Sequence, residues 1–422
     1  MIHIQRIRQE KEVVINGLKK RNIDATASIE KILKLDEERR AVQQSSEQVA
    51  ALMNQQSRQI GILMGQGKKD EAESIKNEVS TLKEEARDWN QKLQKLENEV
   101  YALLVELPNV PHELVPHGNT DEDNEIIKDA KNLPELHESA QPHWELASKY
   151  NLIDFELGNK ITGSGFPVYT GKGAQLQRAL ISYFLKYNLD AGYEEYYVPH
   201  MVNETSAYGT GQLPDKEGQM YHMQTDNFYM IPTSEIPLTN IWRDEIIDFD
   251  KLPIKMTGYT PCFRREAGSY GKDVRGLNRL HQFDKVEIVH VVQQEDSYKV
   301  LDEMVAHVEQ LLINLELPYR ILRLCGGDLG VASAMTYDFE VWSAAQKRWL
   351  EVSSVSNFES FQTNRMKIRY RNEDKQVQLA HSLNGSSLAL PRIYAAILEN
   401  FQKEDGIHLP KVLHPYINSI IK

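Results

Sequence analysis

Cysteine is nearly absent: Cys262 and Cys325 are the only two in 422 residues. A disulfide framework and a four-cysteine zinc site are thereby excluded, and a reducing, cytoplasmic setting is expected. Proline is missing from the start of the chain, Pro108 being the first. An interior proline costs a helix about 3 kcal/mol, so a stretch this long without one is itself a helix signal. No run of 18 apolar residues occurs, and no membrane span is expected. The opening MIHIQRIRQEKE has no apolar centre and carries acids early, so neither a secretory signal nor a transit peptide is expected. Net positive charge is lacking too. At −12 the chain is unsuited to sequence-blind nucleic-acid binding over its whole surface, although a local basic patch remains open. Apolar residues at 41% and charged residues at 26% are ordinary for a soluble globular protein, and the length allows two or three domains.

What fills the proline-free stretch is periodic. Ala72, Ile75, Val79, Leu82, Ala86, Trp89, Leu93, Leu96, Val100 and Leu103 advance in steps of three and four, a heptad seam. Ile32, Leu35, Val42, Val49, Met53, Ile60 and Leu63 trace a looser one. Between them Gly65 and Gly67 permit a reversal, so residues 27–66 and 69–106 read as an antiparallel helical hairpin. Each arm would be roughly 55 Å long at 1.5 Å per residue. A parallel intermolecular coiled coil is the alternative. Residues 107–125, LPNVPHELVPHGNTDEDNE, hold three prolines and an acidic run and read as a linker. Beyond it, from 126 to 422, short β-branched and aromatic runs alternate irregularly with helical segments. That texture predicts an α+β domain on a mostly antiparallel sheet.

GFPVYTGKGA, from Gly165, is not a P-loop, because Gly173 stands where Ser or Thr should bind magnesium. No GxGxxG follows a strand. The stretch from Lys255 to Val292 is richer and reads strand, long loop, strand. Its loop, 267–279, carries Lys272, Arg275 and Arg279, and its return strand shows Phe283, Lys285 and Glu287 on one face. A site for a flat anionic ligand needs an aromatic platform, cations for phosphate and a carboxylate to choose donors, and this hairpin has all three. An exposed charged hairpin is the plain alternative. In TPCFRREAG the strand period places Arg264 and Glu266 on one face and Arg265 on the other. IPTSEIPLTN puts Thr233 and Glu235 on one face of a short extended piece, a plausible ammonium site. In WLEVSSVSN the hard oxygens of Glu351, Ser353 and Ser354 suit Mg²⁺ on nucleotide phosphates. In NGSSLALPRIYAAILEN, Pro391 falls in the first turn of a helix, where its missing N–H costs nothing. Arg392 follows it; a cation there opposes the helix dipole, and an anionic ligand would justify it.

Taken together and in this order, these parts resemble the seryl-tRNA synthetases, of class II, over nearly the full length. The helical hairpin matches that family's N-terminal domain, residues 1–106 with the arm at about 27–106. ALISYFLKYNLDAGYEEYYVPHMVN resembles motif 1, about 178–203; FRREAG with HQFDKVE resembles motif 2, about 255–292; LNGSSLALPRIYAAILEN resembles motif 3, about 381–402. The resemblance implies an ATP-dependent, AMP-forming serine–tRNA ligase, a homodimer through motif 1, with Mg²⁺ and no zinc. It implies catalytic roles for Arg264, Arg392 and Glu351, and an ATP site drawn from Arg264, Arg265, Glu266, Phe283, Glu351, Val352, Ser353, Ser354 and Arg392. Within it Arg264 would hold the α-phosphate, Glu266 the adenine amino group, Phe283 the adenine ring and Arg392 the γ-phosphate. It implies a serine pocket of Thr233, Ser234, Glu235, Arg264, Glu287, Asn384 and Ser386, and a metal held by Glu351 and Ser354. The side chain of Arg265 is expected to look outward or to pair with an acid. Departures from the family pattern are Arg265 for the Ser of FRSE, Ser234 for Ala, LALPR for LAVGR, and Ser387 for the preceding glycine; none removes a catalytic group.

In such a family the arm clasps the long variable arm of tRNA(Ser), and possible use of tRNA(Sec) follows the same resemblance. Arg39, Arg40, Arg58, Lys68, Lys69 and Lys76 are the candidates for a basic stripe. Two other readings stay open: a homologue that loads a carrier protein, and a non-catalytic coiled-coil interaction protein.

Overall fold

The computed structural model describes residues 1–130, 133–267 and 275–422. They form two compact units: residues 1–19 with 23–108, and residues 20–22 with 109–422.

In the first unit two short helices, α1 (Ile4–Gln9) and α2 (Lys11–Lys19), precede α3 (Thr26–Gly65) and α4 (Lys69–Glu106). The long helices, of 40 and 38 residues, pair antiparallel: Ser46 Oγ donates to Asn90 Oδ1 and Gln56 Nε2 to Glu78 Oε2. The expected seam is the buried one, with Ile32, Val42, Val49 and Leu63 on α3 meeting Ala72, Val79, Leu96 and Val100 on α4. The reversal is a Schellman end. Gly67 takes φ +77°, its N–H bonds Met64 O, and the Lys68 N–H bonds Leu63 O. One acid sits in the seam. Asp36, 1% exposed, meets Arg8 at 2.6 Å, Arg39 at 3.1 Å and Arg40 at 3.4 Å. Burial alone would raise its carboxyl, but the guanidiniums of Arg8 and Arg39 outweigh that and hold it below the usual range.

The second unit is built on an eight-stranded sheet. Its strands are β1 (Glu125–Lys128), β2 (Glu194–Glu195), β3 (Ile254–Phe263), β4 (Gln282–Val292), β5 (Tyr319–Arg323), β6 (Met335–Ser343), β7 (Arg348–Asn357) and β8 (His381–Ala389). In space they run β1-β5-β6-β7-β8-β4-β3-β2, antiparallel except where β2 joins β3. Both faces of the centre are covered, which is why β4 reads as a near-continuous apolar run. Val286 and Ile288 join a core with α6 (Gly171–Asp190), α8 (Ser297–Asn314) and α9 (Leu390–Asn400). Val289 and Val291 face the other way, onto Leu238, Ile368 and Tyr370.

The proline-rich segment after α4 is less free than its composition suggests. From Asn109 on it is packed into the second unit: the Asn109 N–H donates to Val331 O, and Nδ2 to Ala332 O and Phe358 O. Prolines and acids mark it as irregular backbone, but these amide bonds leave no pattern in sequence. Lys20–Asn22 belong to the same unit. Lys20 Nζ donates to the carbonyls of His112, Glu113 and Val115. Arg21 donates to those of Asn109, Leu329, Gly330 and Ser333. Among the described residues no helix is long and apolar enough to cross a membrane.

Candidate active site

The β3–β4 hairpin forms because both strands are β-branched and aromatic and pair in unbroken register from Ile254↔Val291 to Phe263↔Gln282. Its loop residues 268–274, Lys272 among them, lie outside the described residues. Next to it β4 pairs with β8 through a bulge: Lys285 faces Ala389 and Glu287 faces Ser386, so β8 carries one extra residue there. The two junctions, with β7 and the first turn of α9, line a cavity of about 540 Å³.

Two buried acids stand at that cavity: Glu235 lines it, and Glu287 lies behind Lys285, Asn384 and Ser386, which do. Glu287 is fully enclosed, accepting from Asn384 Nδ2 at 2.9 Å and Ser386 Oγ at 3.4 Å, with Lys285 Nζ at 2.7 Å. Glu235 accepts from Gln362 Nε2 at 2.6 Å, and its own N–H bonds Thr233 Oγ1. Burial, then the Glu287 charge, push the Glu235 carboxyl up to about 7. Thr233 and Glu235 do come together, but not on extended chain: Glu235 opens α7 (Glu235–Asn240), a helix. The turn sends Ser234 the other way. Its hydroxyl donates to Gly258 O, and it does not line the cavity, so its side chain is removed from the serine-facing set.

Two arginines line the same cavity. Arg264 lies over the Phe283 ring at 5.1 Å, the face on which a base would stack. Arg392, behind Pro391 in the first turn of α9, donates Nη1 to Glu351 O and Nε to Asn278 O, with the Glu351 carboxylate at 3.8 Å. Glu351, Val352, Ser353 and Ser354 line the same wall; Ser353 Oγ donates to Ser386 O, tying β7 to β8. Glu266 is in the cavity and paired with Arg279 at 3.0 Å; Arg265 is not in it. The separation of Arg264 and Glu266 from Arg265 is as expected, but its cause is different. The strand ends at Phe263. Thereafter the Arg265 N–H bonds Gln219 O, and Glu266 sits at φ +48°, a left-handed residue that turns its carboxylate back.

For a metal, Ser354 Oγ is 3.5 Å from Glu351 Oε1, and Asp338, opposite Ser354 on β6, has a buried Oδ1 with no hydrogen-bond partner. Burial, then Glu351, hold the Asp338 carboxyl well above the carboxylate range. Among the described residues no three His, Cys, Asp or Glu side chains are placed to hold an ion. The oxygen donors therefore fit a hard cation that takes most of its ligands from phosphate and water.

Of three further contributors, sequence reasoning saw one without giving it a role and missed two. Lys285 was legible as part of the alternating Phe283–Lys285–Glu287 face. Asn278 and Gln362 were not, because each acts through a partner far along the chain. On the hairpin, Arg39 and Arg40 are engaged with Asp36, Lys68 with Glu71 and Lys76 with Glu73, while Arg58 and Lys69 are exposed.

Comparison with known proteins places both units. Residues 1–111 match the seryl-tRNA synthetase N-terminal domain, and residues 220–401 the class II tRNA synthetase core domain of the G, H, P, S and T type. The serine–tRNA ligase of Salinibacter ruber is 49% identical, covering 99% of this chain and 98% of its own. That of Methylacidiphilum infernorum is 44% identical, covering 99% of each. Among solved structures, seryl-tRNA synthetase from Pyrococcus horikoshii complexed with ATP superposes with a TM-score of 0.89 at 31% identity, over 99% of this chain and 98% of that one. Cytoplasmic serine–tRNA ligase from Naegleria fowleri in complex with AMP gives 0.87 at 26% identity, over 100% and 99%. With its N-terminal hairpin and a cavity that gathers buried acids and arginines, the chain belongs to the seryl-tRNA synthetase family.

Proposed function

We propose that the cavity activates L-serine with ATP and then transfers it to the 3′ end of tRNA(Ser). The carrying observation is the pairing, in one cavity, of the buried acids Glu235 and Glu287 and their hydroxyl neighbours with the arginines Arg264 and Arg392. In the pocket, Thr233 and Glu235 take the substrate ammonium. Glu287, held by Asn384, Ser386 and Lys285, takes its hydroxyl. Alanine in place of serine keeps the ammonium but offers no hydroxyl to the buried Glu287 carboxylate, which is how a site rejects an analogue lacking a hydroxyl. The serine carboxylate is thereby aimed at the α-phosphorus, in line with pyrophosphate as leaving group. No general base is required, since the nucleophile is already an anion. Arg264 meets the charge that grows on the α-phosphate, Arg392 holds the γ end, Phe283 stacks on adenine, and Glu266 accepts from its amino group. Glu351 and Ser354 would hold Mg²⁺, which when bound neutralises phosphate charge. In the second step a terminal ribose hydroxyl attacks the adenylate carbonyl and AMP leaves.

The α3–α4 hairpin is the tRNA arm of this reading, with Arg58 and Lys69 among its exposed cations; tRNA(Sec) is a second candidate. The motif 1 segment, where Tyr197 is 84% exposed, is the face for a second copy in a homodimer, and the cytoplasm is the compartment. Serine-dependent ATP–pyrophosphate exchange followed by charging of serine tRNA tests the scheme. Both activities are expected; exchange without charging would leave a carrier-loading enzyme, and no exchange would end the catalytic reading.

A further inference from the structure

Outside the cavity, two titratable side chains with no assigned task are completely buried against each other: His143, at the start of α5 (His143–Lys149), and Glu399, near the end of α9. His143 Nδ1 lies 2.7 Å from Glu399 Oε1, and the His143 backbone N–H donates to the same oxygen. The other ring nitrogen, Nε2, accepts the backbone N–H of Leu277 at 2.9 Å. A nitrogen that accepts an N–H carries no proton, so the imidazole is neutral and its single proton points at Glu399. Burial works against the Glu399 charge, but the hydrogen bonds from His143 and Ser343 outweigh it and keep the carboxyl below its ordinary range. The pair thus presents one lone pair, in a fixed direction, to one backbone amide.

That amide is on the return leg of the motif 2 loop, and neighbouring contacts address the same stretch. Gly276 has φ +68° and lies so close to the ring that a Cβ would be 2.2 Å from Nε2. Arg275 stacks over Trp144 at 4.7 Å. On the far side, Asn278 Nδ2 donates to Gln346 Oε1, and Gln346 Nε2 donates back to Glu399. The Asn278 carbonyl accepts from Arg392 Nε at 3.2 Å. A continuous set of hydrogen bonds therefore runs from His143 to the arginine at the cavity. We infer that His143 and Glu399 are positioning residues for ATP: they fix the base of the motif 2 loop and, through Asn278, the guanidinium of Arg392. The inference rests on the assignment of Arg392 to the nucleotide phosphates. A site holds its geometry only when the groups behind it are themselves locked.

The test is serine-dependent ATP–pyrophosphate exchange by the full-length protein, with KM read separately for each substrate. His143→Ala removes the acceptor and strands the Leu277 N–H. The KM for ATP is expected to rise about tenfold while that for serine stays within about twofold. His143→Gln, whose carboxamide offers one donor and one acceptor, should recover to within about threefold of wild type. If His143→Ala does not fold, His143→Asn replaces it, since its shorter amide reaches Glu399 but not Leu277. Arg392→Ala, run in parallel, should keep a low but measurable exchange with a raised KM for ATP, and adding His143→Ala to it should raise that KM no further. An unchanged KM for ATP in His143→Ala overturns the inference. So does a rise for ATP and serine together in step with a lowered Tm, or full additivity with Arg392→Ala. Wild-type exchange from Arg392→Ala would remove the phosphate assignment itself, a different result from a silent His143.

Discussion

The Glu235 carboxyl is enclosed, with the Glu287 charge close by, and titrates near pH 7 instead of 4.5. A folded-state value above the unfolded one means the native protein holds that proton more tightly. Its stability contribution is fully present below about pH 4.5 and is lost as pH rises through about 7. Serine binding runs the opposite way, since an ammonium needs the carboxylate. The KM for serine should therefore climb as pH falls from 8 to 6, approaching about tenfold per unit below the midpoint. Glu235→Gln should show a higher Tm than wild type at pH 8, with the gap closing toward pH 4.5, and a serine KM raised on the order of 100-fold. Calorimetry and exchange kinetics across that range check both; a variant less stable at pH 8 would refute the charge argument. Arg264 and Arg265 are a second residue-scale contrast. Arg264→Ala should lower kcat/KM for exchange by roughly 100- to 1,000-fold, the size of a lost preorganised charge partner, and Arg265→Ser should stay within about threefold. Equal losses would mean that Arg265, too, reaches the nucleotide.

At the scale of elements, the hairpin can be shortened without touching the seam that remains. Ser46 and Asn90 face each other across it, so removing residues 47–89 and joining these two through a short glycine turn keeps matched helix stubs. Exchange activity should be within about twofold of wild type, with charging lost at any salt concentration at which the full chain charges; intact charging would take the arm out of tRNA recognition. The hairpin was legible because its information is local: a heptad repeats within each helix, and a left-handed Gly67 ends the first. The β3–β4 hairpin was legible for the same reason, with Phe283, Lys285 and Glu287 sharing a face as the pleat requires. What escaped was decided at a distance. The strand stops at Phe263 because the next amides find Gln219 and His281 carbonyls, and Thr233 and Glu235 meet on a helical turn backed by Gln362. Asp36 was hidden for another reason: it occupies a seam position whose three arginine partners come from two helices, and one of them, Arg8, is 28 residues away.

For the molecule as a whole, the catalytic unit is discontinuous, and the tripeptide Lys20–Asn22 is one of its parts. Arg21, 9% exposed, saturates four carbonyls, two of them beyond residue 329, and burial lowers its guanidinium only to about 10, so it stays charged at neutral pH. Arg21→Met should cost about 3 kcal/mol or more, because the carbonyls of Asn109, Leu329 and Ser333 lose the donor that Arg21 gives them, and denaturant unfolding followed by intrinsic tryptophan fluorescence would register it. A Cm equal to wild type would show that water replaces the side chain. There is also an order of events in this arrangement. Residues 20–22 leave the ribosome well before their partners at 329–333, Arg21 preceding Leu329 by 308 residues. The interval includes residues 23–108, which close on themselves as a local hairpin and so shorten the flexible loop that must be closed. In the newborn chain the arm is then first a folding device: a pre-formed clip that keeps the tripeptide near the place where its acceptors will appear.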